Sequence, residues 1–175
     1  MVCAAPLADR APAIAAALRG AGYEVTVVST PQARHWIDES AVADVTGRPL
    51  LVEYREPQQA KRGGRPDVVV VCPATFNTLN KWAVGVSDDY ALGVLNEALA
   101  SRTPLLAVPF VNDRLWPHPA FAAHLDVLAH AGLVFVDPQT GQASARPVRS
   151  GTGSEVAAHF DPAWLVAILR STRRP

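Results

Sequence analysis

A few polar residues are spaced so that they could hold a small ligand. Thr75, Asn77 and Thr78 follow the apolar run at 68–72, and Ser87, Asp88 and Asp89 come shortly after. Their hydroxyls, amide and carboxylates offer donors and acceptors, and a helix starting beside them adds free N–H groups suited to a phosphate. Taken singly, each is also what helix capping requires, and capping is the simpler account. Asn112 follows a second apolar run, at 104–110, where a side-chain amide can bind a carboxylate; a turn-forming Asn is the ordinary alternative. No GxGxxG or P-loop pattern occurs, which disfavours a standard dinucleotide or nucleoside-triphosphate site. Among the histidines, His118 in WPHPAF is placed to reach such a site; His35 sits beside Trp36, and His124 and His130 fall on a helical pattern. Cys72 ends an apolar run and reads as a small core residue. No His, Cys or carboxylate spacing suggests a metal.

The elements that must position these residues alternate. Residues 2–5 read as a strand end whose beginning is absent, 9–21 as a helix stopping at Gly22, 23–30 as a β-branched strand and 31–39 as a helix. A short strand at 49–54 and a polar loop at 56–67 precede the buried strand 68–72. Helices follow at 77–82 and 90–101, then a strand at 104–110, a helix at 119–132, a strand at 133–137, a Gly/Ser-rich loop at 139–154 and a last helix at 162–170. The alternation predicts an α/β, Rossmann-like (flavodoxin-like) three-layer fold, with a parallel sheet covered by helices on both faces. In such sheets ligands sit beyond the C-terminal strand ends, which collects residues 5–9, 29–33, 73–78 and 109–116 on one edge.

Composition agrees. The chain has 175 residues, 49% hydrophobic and 18% charged, and reads as one domain, 1–175. Sixteen basic and sixteen acidic residues cancel, so no global field points to nucleic acid or membrane. Two cysteines make no disulfide framework and suit a reducing, cytoplasmic setting.

The arrangement resembles a known family. CPATFNTLNKWAVGVSDDYALGVL is similar to the PASANT segment of the homo-oligomeric flavin-containing cysteine decarboxylases, which include phosphopantothenoylcysteine decarboxylase and the lantibiotic peptidyl-cysteine decarboxylases. Pro73, Ala74, Thr75, Asn77, Thr78, Lys81, Gly85, Ser87, Asp88 and Asp89 fall on the pattern without a gap. The family's PxMNxxMW motif resembles the stretch 109–116, with Asn112 and Trp116 matching and Val111 and Leu115 replacing the methionines. Thr30 and Trp36 match a third element near the flavin ring. The resemblance implies FMN. Its phosphate would lie near Ala5 and Thr30, and its ribityl chain and ring against Pro73, Ala74, Thr75, Asn77, Ser87, Asp88 and Asp89. It implies Asn112 on the carboxylate of a small-molecule or peptide substrate, a substrate clamp in the 139–154 loop, and a homo-oligomer built on trimers. Trp82 and Tyr90 are candidate subunit contacts.

The chain departs from the family at three places. Counting back from Asp67, Gln59 stands where the family carries its catalytic histidine, and no histidine lies between His35 and His118. Gln exchanges no proton near neutral pH. The clamp-like stretch QTGQASARPVRSGTGSE has two arginines but no cysteine, and CAAPLAD replaces a Gly-Ser-rich turn. Flavin-dependent oxidative decarboxylation of a cysteine-derived carboxylate is therefore the leading expectation. An FMN enzyme with different redox chemistry, or a non-catalytic FMN-binding or regulatory subunit, are the alternatives. The prenyl-flavin synthase branch comes last, because its binding sequences differ.

Overall fold

The computed structural model describes residues 1–56, 58 and 64–172. Three parallel strands, β1 (Val69–Ala74), β2 (Leu105–Pro109) and β3 (Leu133–Phe135), lie in the order β1-β2-β3. Both faces of β1 and β2 are buried, and alternate residues serve opposite layers. Val69, Val71, Leu105 and Ala107 pack with Leu79, Trp82, Leu95 and Phe121. Cys72, Leu106 and Val108 pack with Ile14, Phe160, Leu165 and Leu169. This double burial explains why the strands are continuous apolar runs.

The sheet continues as single parallel bridges, Val2 with Ser29 and Val28 with Leu51. The Cys3 N–H donates to Pro73 O at 3.1 Å and Cys72 N–H to Met1 O at 2.9 Å, joining the Val2 segment to β1. Counted in chain order, the extended segments run 3-2-1-4-5-6 across the sheet. The order reverses between the Val2 segment and β1, and that crevice is where doubly wound sheets bind ligands.

Helices α1 (Ala11–Gly20), α6 (Gly153–His159) and α7 (Ala163–Thr172) cover one face, and α3 (Phe76–Ala83), α4 (Tyr90–Ala100) and α5 (Pro119–His130) the other. A third cluster, including Val27, Val42 and Leu50, packs α2 (Glu39–Thr46) under the bridged segments.

Several expectations are corrected. Among the described residues, the strand expected at 23–30 forms bridges at Val28 and Ser29 alone, and that at 49–54 at Leu51 alone. Residues 23–27 carry no bridge among the described residues and border a cavity of about 1150 Å³ at the N-terminal edge of the sheet. The helix expected at 9–21 is present as α1, with its start replaced by a 3-10 turn, Pro6–Arg10. The helix at 31–39 is a 3-10 turn, Pro31–Trp36, and α2 begins after it, capped by Asp38 Oδ1 accepting from Ala41 N at 3.0 Å. Trp82 is 1% exposed and its indole donates to Leu95 O at 3.1 Å, so it is a core residue and no subunit contact. Tyr90 stacks edge-on against Tyr54.

The Gly/Ser-rich stretch is held at both ends. Buried Asp137 accepts the Gln139 N–H at 2.8 Å, and its own N–H donates to Gln142 O at 2.9 Å. Trp164 lies over Gly141, where a Cβ would come within 2.3 Å of the indole, so only glycine fits there. Val148 then pairs with Asn112 as a parallel bridge, and α6 begins at Gly153, inside the expected loop.

Candidate functional site

A pocket of about 520 Å³ opens at the switch point, on the C-terminal edge of the sheet. The turn after the Val2 segment supplies Ala4, Ala5 and Pro6, and the start of α3, just beyond β1, supplies Thr75, Phe76 and Asn77. The segment after β2 supplies Phe110, Val111, Asn112 and Leu115. Val148, Arg149, Ser150, Gly151, Gly153 and Ser154 close it from the clamp-like stretch, and Trp36, 46% exposed, stands at its rim. The volume is that of a small-molecule site. The larger cavity lies at the opposite strand edge, away from the polar residues at 75–78 and Asn112.

Thr75 is the N-cap position of α3, but its side chain makes no cap. Its hydroxyl lies 3.1 Å from that of Thr78, and Thr75, Phe76 and Asn77 present the start of α3 to the pocket. Capping therefore does not explain Thr75. It does explain Asp89, whose Oδ1 accepts from Leu92 N at 2.7 Å. Asp88 accepts from Lys81 Nζ at 2.6 Å, which holds its carboxyl below the ordinary range. Ser87 Oγ accepts from Asn96 at 2.8 Å. These three line no part of the pocket in a single chain.

Asn112 sits beyond β2 with its side chain half committed. Its Oδ1 accepts the N–H groups of Arg114 at 3.1 Å and Leu115 at 2.9 Å, an Asx turn that leaves the amide NH2 as the group available to a ligand. Thr30 is buried, and its hydroxyl accepts from Ala33 N at 3.3 Å, serving the 3-10 turn that carries Trp36. Pro73 and Ala74 end β1 behind the pocket, with the Cys72–Pro73 peptide cis. Trp116 packs edge-on on Phe121. His118 caps α5, its Nδ1 accepting from Ala120 N at 3.3 Å, and lies edge-on to Phe76 outside the pocket lining. Gln59 lies outside the described residues.

Three features escape the sequence pattern. Ser29 Oγ is fully buried with no partner among the described residues, one residue before Thr30. At Gly153 a Cβ would stand 3.1 Å from Pro6, so a bare backbone forms that wall. Arg149 lines the pocket, while Arg146 is drawn to Asp137 at 3.8 Å. The GTGS run hints at a close backbone approach; nothing local separates the two arginines. Among the described residues no cluster of His, Cys, Asp and Glu is assembled for a metal, and no helix is long and apolar enough to cross a membrane. Burial pushes the Cys3 and Cys72 thiols up, away from reactive thiolate.

Comparison with known proteins places this geometry. The chain is 30% identical over 129 residues to the coenzyme A biosynthesis bifunctional protein CoaBC of Mycolicibacterium smegmatis, a match covering 71% of this chain and 30% of that protein. The chain thus spans under a third of that relative's length. Among solved structures, the FMN-dependent cysteine decarboxylase SpaF superposes with a TM-score of 0.67 at 28% identity, covering 95% of this chain and 94% of that one. A mutant PPC decarboxylase complexed with pantothenoylaminoethenethiol shares the fold with a TM-score of 0.71 at 19% identity, covering 98% and 94%. The Flavoprotein family model matches residues 3–154, a span that runs from the first bridged segment through the Gly153 wall of the pocket, and the chain therefore belongs to the Flavoprotein family.

Proposed function

We propose that the switch-point pocket binds FMN and serves the oxidative decarboxylation of a cysteine-derived carboxylate, on a small molecule or a peptide. The observation that carries this reading is the convergence of Thr75 and Asn77 with Asn112 on one pocket at the topological switch point. The residues present fit the cofactor. The volume of about 520 Å³ suits it, Trp36 and Phe76 offer aromatic surface, and Thr75, Asn77, Ser150 and Ser154 offer neutral donors. The bare backbone at Gly153 and the unpartnered hydroxyl of Ser29 lie on the same strand edge.

When bound, FMN supplies the acceptor for two electrons. The chain's own residues bind and orient. The Asn112 amide donates to the substrate carboxylate, while its oxygen keeps the turn at 112–115 in place. Trp36 and Leu115, both half-exposed at the rim, exclude water once substrate is seated. A glutamine such as Gln59, where the family register places a histidine, is able to exchange hydrogen bonds but no proton. Its neutrality favours a second reading, in which the protein binds FMN without efficient turnover, as a regulatory or non-catalytic subunit. His118 from a neighbouring subunit is our candidate to supply an acid–base group in its place. A homo-oligomer built on trimers completes the proposal, and light scattering that reports monomer alone at micromolar concentration would remove that part.

The test is direct. Protein loaded with FMN is incubated with a peptide ending in cysteine, and mass spectrometry follows the loss of CO2 and two hydrogens. Product formation supports decarboxylation. Tight FMN binding without product moves the assignment to the second reading.

A further inference from the structure

The lining of the switch-point pocket is neutral except at one place. Among the described residues around it, Arg149 alone carries a charge at neutral pH. Its guanidinium takes part in none of the ion pairs among those residues, whereas Arg146, three residues earlier, is held toward buried Asp137. The backbone fixes Arg149 on both sides. Val148 N–H donates to Val111 O at 2.9 Å, Asp113 N–H to Val148 O at 2.9 Å, and Ser150 N–H to the Asp113 carboxylate at 2.9 Å. Arg149 O itself accepts from Thr152 N at 3.1 Å and Thr152 Oγ1 at 2.9 Å. The bridge between Val148 and Asn112 sets Arg149 one residue along from the partner of Asn112.

We infer that Arg149 selects an anionic substrate: its guanidinium and the Asn112 amide NH2 together form the carboxylate subsite, across the strand extension that joins their segments. A carboxylate accepts several hydrogen bonds, and Asn112 with its oxygen committed offers donors from one nitrogen only. A cofactor phosphate adds negative field to the pocket, and a cation in the lining offsets it for a further anion. The guanidinium supplies that charge and the paired geometry a carboxylate prefers. The inference rests on the flavin reading proposed above for the cofactor, but not on the substrate being a thiol.

Flavin difference spectra test it. FMN-loaded wild type, Arg149→Gln and Arg149→Lys are titrated with N-acetylcysteine, N-acetylcysteinamide and N-acetylalanine. Arg149→Gln should keep FMN, weaken both acids about ten- to a hundredfold, and leave the amide unchanged. Arg149→Lys should recover part of the loss, because the charge remains without the fork. A wild type that binds the two acids equally, with both lost in Arg149→Gln, removes the thiol preference and still supports Arg149. Arg149→Gln binding the acids like wild type, or losing acid and amide alike, overturns the inference. So does release of FMN, which would place the guanidinium on the cofactor's phosphate, and so does a wild type that responds to neither acid.

Discussion

On the proposed reading Asn112 has two jobs on two atoms, and substitution can separate them. Its Oδ1 accepts two backbone N–H groups, and its NH2 is what remains for a ligand. Asn112→Ala removes both. Two turn N–H groups lose their acceptor, at about 0.5–1.5 kcal/mol each, so the fold should lose about 1–3 kcal/mol. Asn112→Asp keeps the acceptor oxygen and converts the donor into a second anionic oxygen. Its stability should match wild type, because hydrogen bonds to a charged acceptor are no weaker than those to an amide. Carboxylate binding should fall by at least about tenfold, since a donor worth about 1.5–3 kcal/mol is lost and a like charge is added. Urea unfolding of the FMN-free proteins reads the first quantity, and the flavin difference spectrum with N-acetylcysteine reads the second. The two variants should therefore differ in stability while both lose ligand. Equal destabilisation by Ala and Asp would show that Oδ1 does not anchor the turn. Undiminished N-acetylcysteine binding by Asn112→Asp would refute the amide as the ligand's donor.

Other expectations follow from the same geometry. Trp82→Ala empties a buried indole site and frees Leu95 O, so urea unfolding should report a loss of about 3–5 kcal/mol; a loss under about 1 kcal/mol would contradict the burial argument. Cys3 and Cys72 keep their protons in the fold because burial raises both, while in the unfolded chain they ionise near about pH 8.5. Above that pH the unfolded chain holds fewer protons, so stability present at neutral pH should fall by about 1.4 kcal/mol per pH unit per thiol, and Cys72→Ala should make the decline shallower. Trp36→Ala should weaken FMN about tenfold in a fluorescence titration, and unchanged affinity would take the indole off the flavin. If Gln59 stands in the family register, Gln59→His should raise turnover about a hundredfold or more, whereas no gain would favour the non-catalytic reading.

What the sequence reveals depends on how local each cause is. β1 and β2 are legible nearly to the residue, because burial on both faces writes an unbroken apolar run. The segment at 23–27 also carries β-branched residues, Val25, Thr26 and Val27, yet pairing is a property of its neighbours, and the described bridges fall at Val28 and Ser29. Helix α2 escapes the pattern although its signals are present: Asp38 as N-cap, and Gly47 at φ 69, a left-handed stop that glycine adopts freely. The 139–154 stretch reads as loop from its glycines and serines, but its order comes from Asp137, Trp164 and Val111, which no local pattern contains. At the site, spacing after strands marks Thr75, Asn77 and Asn112 as candidates, but spacing alone favours capping or a turn, and only the family resemblance points to a ligand. Ser87, Asp88 and Asp89 have local partners in the chain, and capping, the simpler account of each, describes Asp89. Arg149 is only one of two loop arginines until the bridge to Asn112 and the pull of Asp137 on Arg146 separate them.

The central claim is that the switch-point pocket holds FMN. Protein incubated with excess FMN and freed of unbound flavin by gel filtration should elute with the absorption bands of oxidised flavin, about one FMN per chain, as one switch-point pocket per chain requires. Asn77→Ala combined with Gly153→Val, which removes a polar lining group and drives a side chain toward Pro6, should elute with much less flavin at unchanged secondary structure. Wild-type protein that leaves the column colourless would contradict the account, as would flavin bound equally by the double variant.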